Sequence, residues 1–230
     1  MICNTVVTYF TPVPELYHPD SQWQLIEVWK KSWAKAGWDP IVLTLDDVAT
    51  HPRFGFFFEH FHAKPTEYGQ PYTESCFLRY LAAAHYGSLR GVNIMLTDYD
   101  VINYFFPPLE PWDNELTIFC DEPPASIFCG AVMGRPHHFL DLCELFAAAK
   151  PDQFDWNVHA KMFHQDDLSL ISRFFDSKTL EKPAWMVKRP GCALYDYPSW
   201  RTSRLVHFGY ALKQAGYFPK HEWIERLRPF

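Results

Sequence analysis

The stretch that decides the fold is TESCFLRYLAAAHYGSLRGVNIMLTDYD, residues 73–100. Its first half predicts a helix over about 73–86, because apolar side chains recur at the spacing of one helical face and Gly87 follows. Its second half predicts an apolar strand over 92–97, and this strand runs directly into the acidic sequence Asp-Tyr-Asp at 98–100. Since ligands of open α/β sheets bind beyond the carboxyl ends of strands, the two acids are candidates for a ligand site.

The residues before this stretch predict a parallel sheet. Residues 2–10 are β-branched and aromatic and predict a buried strand. Residues 21–36 predict a helix whose buried face includes Trp23, Trp29 and Trp33, with a glycine just past its end. A second strand is expected over 41–45. Strand, helix and strand within 45 residues make a βαβ opening, which favours an α/β fold.

The second half of the chain predicts shorter elements, while residues 52–71 are aromatic and bounded by prolines without a clear period. We expect strands at 116–120, 127–133, 185–188 and 204–208, and helices at 137–149, about 165–175 and 219–228. Neither a repeat nor a linker divides the sequence. It therefore predicts one domain over residues 1–230 with an irregular C-terminal half.

Composition excludes several classes of protein. Of the 230 residues 48% are hydrophobic, and the formal net charge is −6, which does not suit a nucleic-acid partner. Six scattered cysteines form no C-x-x-C pair and are expected to be buried thiols of a reducing compartment. The sequence has neither the pattern of a secretory leader nor 18 consecutive apolar residues, so we expect a soluble, cytoplasmic protein.

The acidic pair has two interpretations. Asp98 and Asp100 can face one hard cation together, and their oxygens suit Mg²⁺ or Mn²⁺. Such a cation would neutralise diphosphate oxygens and stabilise a nucleotide leaving group. However, a chain with 15 aspartates is expected to contain about one D-x-D by chance. A carboxylate pair could instead cap a turn, and on the motif alone both interpretations stay open.

Residues 73–100 resemble the DXD region of GT-A-type glycosyltransferases, in particular the group with a sugar-binding region containing the DXD motif. In that group a helix precedes a short strand that ends in the metal-binding acids. Residues 29–45 resemble the first helix and second strand of the same enzymes. The resemblance implies a GT-A-like α/β fold with a mixed, mainly parallel sheet flanked by helices. It also implies a nucleotide-sugar-binding half at 1–105 and an acceptor-side half at 106–230.

The resemblance further implies that His207 completes a metal site with Asp98 and Asp100, with Mn²⁺ or Mg²⁺ as the cofactor. An apolar strand delivers this histidine, and Gly209 follows two residues later. A lone histidine is usually structural, and the chain contains 11. Because a ligating imidazole must be neutral, we expect activity to fall at acid pH.

Other residues are implied to contact the donor or to assist catalysis. The segment from Gln165 to Asp167 resembles an acidic signature that faces the donor sugar, with Gln165 and Asp166 as the catalytic candidates. Its acids would equally favour the dipole of a helix start. Gly130 is expected either to allow a close approach of the sugar or to form a simple strand bulge. The full set of donor-binding candidates is Thr8, Tyr9, Arg79, Tyr99, Gly130, Asp167 and Gly209, with a structural ion pair as the alternative role of Arg79.

The sequence and the resemblance together predict transfer of a sugar from a nucleotide-sugar donor to a saccharide or lipid-linked acceptor, commonly with retention in such relatives. Two alternatives remain: a non-catalytic glycan- or nucleotide-binding module, and a metal-dependent phosphoesterase. The basic tail at 213–228 is expected to be either a solvated helix or a peripheral contact with an anionic membrane.

Overall fold

The computed structural model describes residues 2–12, 19–64, 70–109, 114–120, 130–150, 156–157, 162–163, 167–176, 181–195, 198–208 and 220–227. The strands are β1 (Thr5–Tyr9), β2 (Asp39–Leu43), β3 (Ile94–Thr97), β4 (Val101–Asn103), β5 (Leu116–Phe119), β6 (Ala131–Gly134), β7 (Trp156–Asn157), β8 (Met162–Phe163), β9 (Met186–Arg189), β10 (Cys192–Leu194) and β11 (Leu205–His207). The helices are α1 (Pro19–Lys35), α2 (Leu45–Ala49), α3 (Phe54–His62), α4 (Gln70–Arg90), α5 (Pro136–Ala148), α6 (Asp167–Asp176) and α7 (Lys220–Leu227), with a 3₁₀ turn at Pro198–Arg201.

The central sheet has six strands in the order β2-β1-β3-β6-β5-β9. Strand β1 pairs in parallel with β2 and β3, and β5 pairs in parallel with β9. Strand β6 runs antiparallel to both of its neighbours. The predicted mixed, mainly parallel sheet flanked by helices is therefore confirmed. A second sheet, β10-β11-β4, carries the strand that ends at His207.

The central sheet separates two apolar cores. Because successive side chains of a strand point to opposite faces, Val7 and Leu96 enter one core while Val6 and Met95 enter the other. The first core is closed mainly by α3, α4 and α5, and the second by α1 and the small sheet. Both faces of the central sheet are thus covered, which explains why its strands are almost continuously apolar.

The long helix α4 exceeds its predicted bounds at both ends. Gly87, which was expected to end it, lies inside the helix, and a Cβ there would stand 2.8 Å from Pro136 Cγ and 2.9 Å from Ile94 Cγ1. This glycine therefore lets α4 lie close to the start of α5 and to β3. The helix is instead followed by Gly91 with a φ of +64°, the left-handed conformation that commonly ends helices.

Two helices occupy segments that were predicted otherwise. Residues 54–62 form α3 although the sequence shows no clear period, because Phe57 and Phe61 are buried at helical spacing among aromatics on every side. Leu45 begins α2 instead of ending the second strand. There the carboxylate of Asp47 accepts hydrogen bonds from the backbone N–H and the hydroxyl of Thr44. This local bond favours a helical turn over a longer strand.

The expectation that Trp23 belongs to the core is wrong. Trp29 and Trp33 are fully buried, whereas Trp23 is 47% exposed. At about 100° per residue, Trp23 lies about 120° around the helix from Trp29 and so falls outside the buried stripe. Its indole contacts Phe10 at a centroid distance of 4.6 Å.

Candidate functional site

Asp98 and Asp100 lie in the tight turn between β3 and β4, at the carboxyl end of β3. The backbone N–H of Asp98 donates to the carbonyl of Gly130 at 3.1 Å. The carbonyl of Asp98 accepts from Val101 at 3.0 Å, and that of Asp100 accepts from Phe208 at 2.9 Å. Backbone bonds to three different segments therefore hold both acids in place.

Two indoles of helix α1 support the same turn. Trp29 Nε1 donates to Thr97 Oγ1 at 2.9 Å, immediately before the acidic pair. Trp33 Nε1 donates to the carbonyl of Val101 at 3.0 Å, immediately after it. Tryptophans that sequence periodicity marks only as core residues thus also satisfy polar groups on either side of the turn.

His207 ends β11 and reaches the acids through the register of the small sheet, in which it lies opposite Val101. Its Nε2 atom is 3.1 Å from Asp100 Oδ1 and 3.6 Å from Asp98 Oδ2. One ligand atom of each of the three residues lies within 4.8 Å of the other two. Two carboxylate oxygens and an imidazole nitrogen at this separation could hold a divalent cation.

Gly130 lies against the imidazole of this group. A Cβ at this position would be 3.2 Å from His207 Nδ1 and 3.2 Å from Val101 Cγ2. The glycine therefore makes room for the ring that carries the histidine ligand. The sequence analysis expected a sugar to approach Gly130 closely. In the structure the ring of His207 lies against this glycine.

Arg79 connects the acidic pair to the start of α6. One guanidinium nitrogen contacts Asp98 Oδ1, and another contacts Asp167 Oδ2. Asp167 is buried and also accepts a hydrogen bond from the Tyr80 hydroxyl at 2.7 Å. The structural alternative for Arg79, an ion pair, is therefore what the side chain makes, and this arginine fixes the orientation of Asp98.

Lys220 is a member of the site that the sequence did not reveal. Its ammonium donates to Asp100 Oδ2 at 2.9 Å, and only 9% of its side chain is exposed. The basic tail suggested only a solvated helix or a membrane contact, yet the first residue of α7 lies against the acidic pair. The only sequence signal is a lysine at the start of an amphipathic helix, and many surface lysines share it.

The charges of the site affect one another strongly. Burial raises the pKa of Asp100, but Lys220 and His207 outweigh burial and hold this pKa below its usual range. Burial lowers the pKa of His207, but Asp100 and Asp98 outweigh burial and raise this pKa above its ordinary value. Asp100 is therefore ionised, and a cation that binds His207 Nε2 must compete with a proton.

Some of the remaining donor-binding candidates lie at the same edge of the central sheet. Since β1 and β3 are parallel with Val7 opposite Leu96, their carboxyl ends bring Tyr9 and Asp98 to one edge. Thr8 is fully buried, and among the described residues its hydroxyl has no hydrogen-bond partner. Tyr99 packs on Phe10 at a centroid distance of 5.9 Å. Gln165, Asp166 and Gly209 lie outside the described residues.

The fold has a known counterpart among solved structures. The chain is similar to a structure described as the "crystal structure of a glycosyltransferase involved in the glycosylation of the major capsid of PBCV-1", with a TM-score of 0.57 and 12% identity. The match covers 97% of this chain and 99% of that one. The chain has a glycosyltransferase-like fold. No family model and no curated protein matches the sequence.

Two further findings concern the cysteines and the possibility of a membrane-spanning helix. The described cysteines form no disulfide bond; they are Cys3, Cys76, Cys120, Cys143 and Cys192. Burial raises the pKa of Cys3 to about 12, so this thiol is inert as a nucleophile. Across the described residues, no helix combines the length and the apolar character that crossing a bilayer requires.

Proposed function

We propose that this protein is a metal-dependent glycosyltransferase that moves a sugar from a nucleoside diphosphate sugar to a hydroxyl of a saccharide or lipid-linked acceptor. The observation that carries the proposal is the convergence of Asp98, Asp100 and His207 at the carboxyl end of β3 in a glycosyltransferase-like fold. This edge of the sheet is where α/β folds commonly bind ligands. In this proposal residues 1–105 form the nucleotide-sugar-binding half, and residues 106–230 form the acceptor-side half.

The three residues fit a divalent cation. Oxygen ligands with one imidazole suit Mn²⁺ or Mg²⁺, and Lys220 already places a positive group against Asp100. When bound, the cation would offset negative charge on the departing diphosphate. The identity of the ion is part of the proposal.

The side chains of the protein have separate tasks in this proposal. Asp98 and Asp100 supply negative charge, and Arg79 orients Asp98 while it compensates Asp167. Lys220 neutralises part of the charge of Asp100, so the site can remain folded whether or not a cation is bound. Rigid positioning by buried ion pairs is what a transfer reaction between two held substrates requires.

We also propose which residues contact the nucleotide and the sugar of the donor. Thr8, Tyr9 and Tyr99 are proposed to lie at the nucleoside, and Gly130 and Gly209 at the sugar and diphosphate. The buried Asp167 is proposed to act on the donor side through Arg79, which it holds in place. Gln165 and Asp166 are proposed as the catalytic pair, with retention of configuration as in the relatives that the sequence resembles. Small differences in such contacts set the base and the sugar.

A donor screen tests the proposal directly. UDP-, GDP- and TDP-sugars would be offered with Mn²⁺ or Mg²⁺ in the presence of a mixture of saccharide acceptors, and the released nucleotide would be measured. We expect metal-dependent release from one donor by the wild type, and at least about a hundredfold less from Asp100→Asn. The matched control is Asp46→Asn, which changes an exposed aspartate of α2.

Release that ignores the metal, or that survives in Asp100→Asn, would contradict the proposed role of the acids. Hydrolysis of simple phosphate esters without any donor turnover would favour the phosphoesterase alternative. Binding of glycans without turnover of any donor would favour a non-catalytic binding module.

A further inference from the structure

A groove of about 300 Å³ lies between the outer face of α1 and the final helix α7. Its lining includes Trp23, Glu27, Val28, Lys31, His221 and Glu225. Of the members from α1, Trp23, Glu27 and Lys31 are exposed, whereas Val28 at the floor of the groove is buried in the second core. Helix α7 covers this outer face only in part and leaves the groove beside it.

Two short sets of contacts join the groove to the candidate site. Lys220, the first residue of α7, donates to Asp100, and its neighbour His221 lines the groove. On the opposite wall, Trp23 packs edge-on against Phe10, which in turn contacts Tyr99 between the two aspartates. One layer of side chains, which includes Phe10 and Lys220, therefore separates the groove from the turn that carries Asp98 and Asp100.

The groove offers an aromatic face with hydrogen-bonding groups around it. Trp23 is 47% exposed, which is unusual for the largest apolar side chain and marks a contact surface. His221 forms part of the opposite wall, at the start of α7. A sugar ring matches this arrangement, because its C–H face is apolar while its hydroxyls donate and accept around the edge.

The charges of the groove distinguish a neutral sugar from a nucleotide. Glu27 and Glu225 contribute two carboxylates and Lys31 contributes one ammonium, while Glu27 is also paired with Lys30 at 2.8 Å, so the charges around the groove nearly cancel. Carboxylates accept hydrogen bonds from hydroxyl groups but repel phosphates and acidic sugars. The groove therefore suits a neutral saccharide and disfavours the diphosphate of a donor.

We propose that the groove between α1 and α7 binds a neutral saccharide, which serves as the acceptor of the glycosyl transfer. The acceptor role rests on the proposed function, whereas saccharide binding itself does not. Trp23 stacks on the sugar ring, and Glu27 and Glu225 bind its hydroxyls.

The test is binding to an array of neutral and acidic glycans, followed by isothermal titration with the best neutral glycan. We expect the wild type to bind neutral glycans, Trp23→Phe to retain part of the affinity, and Trp23→Ala to lose about tenfold or more. Phe56→Ala is the matched control, because Phe56 is also an exposed aromatic residue but lies on α3, away from the groove. This variant should bind like the wild type. Because Trp23 is half exposed, thermal unfolding should show that all variants remain folded.

Every other outcome overturns the proposal. These outcomes are binding of acidic glycans only, absence of binding to any neutral glycan at millimolar concentration, and equal binding by Trp23→Ala. Competition by UDP, GDP or TDP with Mn²⁺ would place the groove in the donor site and would also contradict it. Since this measurement needs no turnover, its failure is separable from failure of the donor screen.

Discussion

Asp98 and Asp100 lie two residues apart, yet each contacts a cation of its own. Arg79 contacts Asp98, and Lys220 contacts Asp100. Burial of several charges is costly unless each is paired, and removal of one partner leaves the other uncompensated. The site is therefore a cluster of paired charges. Substitutions of its members should differ in how much they destabilise the protein.

Arg79→Met should destabilise the protein by about 3 kcal/mol, because it leaves both Asp98 and the buried Asp167 without their guanidinium. Urea unfolding measures this free energy. Arg53→Met is the control: its partner Glu144 and the arginine itself are more than 40% exposed, so the loss of stability should be much smaller. Equal losses in the two variants would contradict the importance of the buried cluster.

Gly130→Ala should weaken binding of Mn²⁺ by about tenfold while the fold is retained, because the new methyl group displaces the His207 ring. Isothermal titration with Mn²⁺ measures this affinity. Gly55→Ala is the control, since a Cβ at Gly55 meets no atom within 4 Å. Unchanged Mn²⁺ affinity in Gly130→Ala would show that the histidine is not held by this packing.

The residues of the site differ in how far the sequence predicts them. Asp98 and Asp100 were predictable, because an acidic pair at the end of an apolar strand combines a motif with a place in the fold. His207 was predicted through the family resemblance. Lys220 was not, because its contact with Asp100 joins residues that are 120 positions apart and depends on how α7 meets α1.

At the scale of elements, the start of α5 contains a buried histidine that must stay neutral. His138 is 2% exposed, and its ring stacks on Trp185 at 6.0 Å. Its Nδ1 atom accepts a hydrogen bond from the backbone N–H of Arg135. Burial, followed by His137 and Arg135, lowers the pKa of His138 from 6.5 to about 4.

This histidine should make the protein sensitive to acid. Below about pH 6.5 His138 binds a proton in the unfolded chain, whereas in the folded protein it stays neutral down to about pH 4. The stability of the fold therefore falls as the pH is lowered through this window. Between pH 7 and pH 5 the contribution is about 2 kcal/mol.

Urea unfolding at pH 7 and pH 5 measures the effect, which should be absent from the pH dependence of His138→Gln. His60, which is exposed on α3, gives the control variant His60→Gln. An unchanged slope in His138→Gln would contradict the assignment.

Elements were predictable wherever one spacing dominated the sequence. Helix α1 has a clear apolar stripe and a glycine with a φ of +91° just past its end, so both its type and its end were predicted correctly. Helix α3 was missed because phenylalanines surround it, and periodicity cannot distinguish a face when nearly every face is apolar. The end of α4 was misplaced because Gly87 serves close packing instead of termination.

At the scale of the whole molecule, the site depends on strands that are distant in sequence. The strand order β2-β1-β3-β6-β5-β9 places β6 beside β3, and Gly130 at the start of β6 beside Asp98. The opening βαβ unit predicts only the parallel part of this sheet. The antiparallel position of β6 follows from tertiary packing, and no local pattern in residues 130–134 indicates it.

The central claim is that Asp98, Asp100 and His207 hold a divalent cation against a nucleoside diphosphate. Isothermal titration of UDP, GDP and TDP, each with and without Mn²⁺, tests this claim most directly in the wild type, Asp100→Asn and Asp46→Asn. We expect one nucleotide to bind with Mn²⁺ and its affinity to fall at least about tenfold without the cation or in Asp100→Asn. Asp46→Asn should behave like the wild type. Nucleotide binding that is indifferent to both Mn²⁺ and Asp100, or absent under every condition, would contradict the central claim.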